Sequence, residues 1–182
     1  MGTRARERLL AAAEDLFYAE GIQAVGVERL LETSGVGRAS FYRHFAGKDE
    51  LVETVLSSRG QQWRRLLAEG VARRGGGPLA VFDFLADRFA REDYRGCAFI
   101  NAMAEVGDAD AAVYTLARQH KAAVTDYLDG LLEEAGHAGH AELAEQLMLL
   151  VDGALVAALR ERGPAPAHRA KKIASALLAS VH

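Results

Sequence analysis

Helical periodicity runs through this chain almost without interruption, and it leaves room for little except an all-α fold. Ala and Leu dominate, there are only three prolines in 182 residues, and no stretch alternates with period two. Glycine and proline mark the joints. Thr3 is placed to cap a first helix carrying Leu9, Ala13, Leu16, Phe17 and Glu20 at helical spacing, with Gly21 as its stop. A short helix is expected over Val27–Ser34 with Leu30 and Leu31 inward, then a tight turn at Gly35-Val36. A third short helix follows from about Gly37 to His44, a turn at Ala46-Gly47, and a long helix from Lys48 to about Arg73.

The run RRGGGP, from Arg73 to Pro78, is the clearest break. Beyond it, Leu79 to Arg91 is amphipathic, with Val81, Phe82, Leu85 and Phe89 on one face. The apolar piece CAFINAMAEVG reads as one helix and Ala109 to Ala135 as a long one. GHAGHAE reads as a loop, and two last helices fit Glu142–Arg162 and, after PAPA, Ala167–Val181. That makes about nine helices, three of them clustered near the start.

Charge narrows the function classes. The net charge of −3 argues against a surface that coats nucleic acid indiscriminately, while leaving room for a local basic patch. One cysteine, Cys97, cannot make an internal disulfide, and MGTRARERLL lacks the apolar core of a signal peptide, so a cytoplasmic protein is expected. The most apolar run, Leu147 to Leu159, is too short to span a bilayer and contains Asp152. No phosphate loop, nucleophile elbow or HExxH motif is present, so no catalytic residues, cofactor or metal are assigned.

The exception to the acidic balance is SGVGRASFYRHFAGKDEL, from Ser34 to Leu51. From Val36 to Lys48 it holds Arg38, Arg43 and Lys48 and no acid. Two short helices joined by a glycine turn make a helix-turn-helix, whose second helix fits the major groove. Gly35 supplies the turn and Val36 plugs the angle between the helices. Phe41 and Phe45 can turn inward while Arg38, Ser40, Tyr42 and Arg43 reach phosphates or base edges; Lys48 stands at the next helix N-terminus, where amides also favour a phosphate. On spacing alone, a helical hairpin with a solvated charged face remains the alternative.

The residues from Arg8 to Leu51 also resemble the N-terminal DNA-binding domain of TetR-type bacterial transcriptional regulators. The resemblance rests on LFYAEG at the end of the first helix, on V-x-x-L-L-x-x-SGV, and on the block FYRHFAGKDEL. It implies a recognition helix from Gly37 to His44, with Arg38 and Ser40 toward the groove and Tyr42 and His44 on phosphates. Lys48 would clamp a phosphate from the next helix, and Gly26 and Val27 would open the second helix beside the duplex. Gly26 departs from the pattern, where a hydroxyl residue is common. Gly37 departs likewise, and Ala39 is small, so readout would rest on Arg38, Ser40 and Arg43. The domain boundary implied is 1–47 for DNA binding and 48–182 for ligand binding and dimerisation.

The C-terminal helices agree with a dimer. Leu143, Leu147, Leu150, Ala154 and Ala158, then Ala170, Ile173, Ala174 and Leu177, form apolar rows, while Leu149, Val151, Leu155 and Val156 occupy other sides. A helix apolar nearly all round needs cover on more than one side; a homodimer supplies it, and a fully buried helix in a monomer is the alternative. A dimer also presents two recognition helices about 34–36 Å apart to a palindromic operator in double-stranded DNA.

For an effector, Phe82, Leu85, Phe89, Phe99, Met103, Tyr127 and Met148 are candidates to line an apolar cavity, and Asn101, Glu105, His120 and Asp152 to orient its contents; ordinary core packing is the alternative for each. RGCAFINAMAE resembles a stretch in one TetR-type subgroup and fixes no ligand. The resemblance implies a repressor released by a small, largely apolar effector through a tilt of the helix from Lys48. Rival readings are a helical ligand binder with weak sequence readout, and a metal or redox sensor using Cys97 with His137 and His140.

Overall fold

The computed structural model describes residues 2–106 and 111–180, without the side chains of Gly2, Thr3 and Ala111. The expected Thr3 cap, the joint at 107–110 and Val181 lie outside the described residues. Among those described there are nine helices and no strand: α1 Gly2–Glu20, α2 Val27–Ser34, α3 Arg38–His44, α4 Lys48–Ala72, α5 Ala80–Phe89, α6 Ala98–Val106, α7 Ala111–Glu134, α8 His140–Glu161 and α9 Ala165–Ser180.

The expected order holds and the ends move by a few residues. One shift matters. GHAGHAE is only half loop, because α8 begins at His140 behind Gly139. His140 Nδ1 lies 2.5 Å from an Asp129 carboxylate oxygen on α7, and that hydrogen bond raises the imidazole pKa above its ordinary value. The histidine expected in a solvated loop therefore ties two helices together.

Packing divides the chain into two compact units: Met1–Gln61 with Ala98–Arg118, and Gln62–Cys97 with Gln119–His182. The boundary between these compact units falls within α4, and α6 with the start of α7 belongs to the first unit. A helix whose packing partner changes midway shows no break in its own sequence.

In the first unit α1 packs on α2 and α3. Its core includes Leu9, Ala13, Val25, Leu30, Phe41 and Leu51, each fully enclosed. Burying such side chains yields about 1.5–3 kcal/mol apiece, which lets helices as short as α2 and α3 persist where isolated ones would melt.

In the second unit α5, α8 and α9 pack on one another, around Phe82, Leu85, Leu128, Leu132 and Leu147. Here α4 approaches α5 closely. A Cβ built on Gly70 would stand 2.3 Å from Cδ2 of Phe84, whose ring leans on Trp63 at 5.5 Å. Alanine gains about 1 kcal/mol of helix propensity over glycine, but overpacking costs about 1–3 kcal/mol. Gly70→Ala is therefore expected to lower the melting temperature; a rise would show that Phe84 yields freely.

Candidate nucleic-acid interface

The turn between α2 and α3 is built from three residues with separate tasks. Gly35 adopts φ +63°, ψ +28°, the left-handed geometry that ends a helix and that side chains with a Cβ resist. Ser34 Oγ, itself buried, accepts a hydrogen bond from the Val36 amide at 3.3 Å. Val36, 4% exposed, fills the angle between the helices.

From there α3 sorts its side chains by face. Phe41 and Phe45 are enclosed and hold the helix down, their ring centroids 6.0 Å apart, while Tyr42 meets Phe41 edge-on at 5.1 Å. Arg38, Ala39, Tyr42 and Arg43 form the exposed row, and Tyr42 is 51% accessible although aromatic. Ser40 and His44, one helical turn apart, are half-covered, and His44 turns Nε2 into the protein. A phosphate contact from His44 would therefore use Nδ1.

The glycines leave the backbone open. Gly26 and Gly37 are the N-caps of α2 and α3 with no side-chain cap, and no atom lies within 4 Å of where either Cβ would be. Lys48, half-exposed, opens α4 after a turn in which the Ala46 amide donates to a Glu50 carboxylate oxygen at 2.6 Å. No acid pairs with Arg43 or Lys48 among the described residues, whereas Arg38 is ion-paired to Glu28 in the first turn of α2. No local pattern signals that pair, because residues ten apart meet only once the turn has folded.

An exposed cationic and aromatic row on the second helix of a helix-turn-helix is suited to the major groove. Comparison with known proteins agrees. Residues 9–55 match the family model described as bacterial regulatory proteins, tetR family. The crystal structure of a TetR-family transcriptional regulator from Streptomyces coelicolor superposes with a TM-score of 0.88 at 30% identity, covering 98% of this chain and 96% of that one. This chain belongs to the TetR family. The helix-turn-helix-type regulator YjdC of Escherichia coli K12 is 27% identical over 177 residues, 95% of this chain and 93% of its own. A regulator from Lactococcus lactis subsp. lactis is 27% identical over 110 residues, and the match spans 58% of this chain and only 56% of that protein. This TetR-family chain is accordingly a transcriptional regulator with a DNA-binding helix-turn-helix.

The residues expected at a dimer interface of this TetR-family protein differ in exposure. Leu143, Leu147, Ala154, Ala158, Ala170 and Ala174 are buried in their own chain. Among the described residues of α8 and α9, the large apolar side chains left in solvent are Leu149 (74%), Val156 (50%), Leu159 (40%) and Ile173 (56%), with Leu150 and Leu177 partly covered. Periodicity shows that a helix has apolar faces; it does not show which one turns inward.

The expected cavity also divides. Phe99, Asn101, Met103 and Glu105 lie in the first unit, and Phe82, Leu85, Phe89, His120, Tyr127, Met148 and Asp152 in the second. Asn101 and Glu105 line a cavity of about 30 Å³, room for about one water, and Glu105 accepts a hydrogen bond from the Gln23 amide at 2.9 Å. Phe82, Leu85, Phe89 and Met148 are core, and Asp152 is ion-paired to Lys121. Tyr127 alone of the candidates borders the larger cleft, of about 360 Å³, which Val71, Ala72, Gly76, Asp126, Gly130, Leu131 and Glu134 complete.

His120 is 6% exposed, and burial, assisted by Lys121 and Arg64, pushes its pKa down to about 3. Unfolded, it takes a proton near pH 6.5; folded, it stays neutral until about pH 3. The unfolded state thus binds the extra proton in that window, and stability is lost as pH falls through it. Relative to pH 7.5, about 2 kcal/mol should be lost at pH 5 through this one group. Urea unfolding at both values should show a smaller loss in His120→Leu than in the parent; equal losses would place the effect elsewhere.

Proposed function

We propose that this regulator is a repressor that binds a palindromic operator in double-stranded DNA as a homodimer and is released by a small, largely apolar effector. One observation supports it: an acid-free basic run from Val36 to Lys48 whose helix α3 exposes Arg38, Tyr42 and Arg43. Arg38, Ser40 and Arg43 read bases; Tyr42, His44 and Lys48 hold phosphates; Gly26, Val27, Gly37 and Ala39 let the duplex approach closely. With few hydroxyl contacts at the helix starts, discrimination falls on the arginines, each bidentate contact to guanine being worth about 1–3 kcal/mol.

The apolar side chains in solvent on α8 and α9 support the dimer. Leu149, Gly153 and Val156 follow one helical stripe, and Ile173 belongs to the helix packed beside it. The cleft by Tyr127 supports the effector. Val71, Ala72 and Leu131 offer apolar contact there, and burial together with Glu134 raises the Tyr127 pKa, keeping its hydroxyl a donor. Helix α4 begins at Lys48 and ends at Ala72 on that cleft, so an effector that prefers one setting of α4 shifts DNA binding by its differential affinity.

Selection from a pool of random-sequence duplexes tests the proposal. The enriched sequences should be inverted repeats with half-site centres about one helical turn, or a multiple of one, apart, bound by two chains. Enrichment of an asymmetric site, or of none, would contradict it.

A further inference from the structure

Arg38 heads the exposed row of α3, and the Glu28 carboxylate is ion-paired to its guanidinium from the neighbouring helix. The two side chains are 59% and 73% exposed, and the glycines beside them, Gly26 and Gly37, contribute no side chain. Among the described residues Arg38 has no other ion pair.

An ion pair this exposed adds little to folding, and a carboxylate beside a DNA-facing arginine repels phosphates whatever the sequence. Its cost falls on every duplex, so its use must lie in what it does to Arg38. A freely rotating arginine seeks phosphates, which gives affinity without sequence information. An arginine held by one edge keeps the other donors of its planar fork for the paired acceptors of guanine.

We propose that Glu28 is a specificity-determining positioning residue, holding the Arg38 fork away from the phosphate backbone and toward base edges. The inference rests on the DNA-contact face proposed above. It makes Glu28, on the helix that supports recognition, a determinant of which operator is chosen.

The test is a double-mutant cycle on the full-length chain, with two duplexes as probes: one enriched by the parent from a random pool, and a scrambled version of it. Glu28→Gln should lower the ratio of the two affinities about threefold to fivefold, as expected for loss of an exposed pair, mostly by tighter binding of the scrambled duplex. Glu28→Ala should do the same. In an Arg38→Ala background the Gln substitution should leave the ratio unchanged. An unchanged ratio in the parent background overturns the role of Glu28, and so does an equal fall in both backgrounds, which would mean the carboxylate repels DNA without acting through Arg38. Absence of any sequence-selective binding by the parent overturns this inference together with the contact face.

Discussion

A chain carrying Leu149→Glu and Ile173→Glu should sediment as a monomer and lose at least about a hundredfold in operator affinity. Both residues stand in solvent on the adjoining helices α8 and α9, so neither change disturbs the core of its own chain. Across a symmetric interface the two substitutions place four carboxylates on a surface meant to be dry, and each buried unpaired charge costs several kcal/mol. Without the partner, the second recognition helix loses the high effective concentration that tethering provides, typically worth about 10²–10⁴ in avidity. Analytical ultracentrifugation, with circular dichroism to confirm the fold, gives the answer. A dimer of undiminished strength would place the interface on another face.

The second large effect is expected at Phe41. Its ring is fully enclosed and touches both Tyr42 and Phe45, so it fastens the recognition helix to the rest of the first unit. Phe→Ala at such a site costs about 3–5 kcal/mol, a large share of the roughly 5–15 kcal/mol that holds a domain together. Phe41→Ala should lower the urea midpoint accordingly and abolish operator binding at temperatures where the parent binds. A loss below about 1 kcal/mol would show that α3 is held by other means.

The recognition helix was legible in the sequence because its signals are local. Gly35, Val36 and the spacing of Phe41 and Phe45 fall within a dozen residues, and the structure uses each as the spacing suggests. The helix order was legible for the same reason, since caps and periodicity are short-range. What the sequence did not carry were facts about which surfaces meet. Leu147 and Leu149 are equally apolar, yet one is core and the other solvent-facing. Phe89 and Phe99 lie ten residues apart and belong to different compact units. His140 read as a loop residue, whereas its partner Asp129 comes from the preceding helix. Glu28, in the first turn of α2, meets Arg38 only because the turn at Gly35 brings the two helices together.

If the face of α3 and the start of α4 bind DNA phosphates, the affinity must fall steeply with salt. Each neutralised phosphate adds about 0.9 to the slope of log affinity against log salt, and a dimer presents the phosphate-holding Lys48 twice. Fluorescence anisotropy on the selected duplex should therefore show the slope of the Arg43→Ala, Lys48→Ala variant reduced by about 2, with weaker binding to matched and scrambled duplexes and the larger loss on the matched one, whose bases Arg43 reads. An unaltered slope and undiminished affinity in that variant would mean that this face of the protein does not bind DNA.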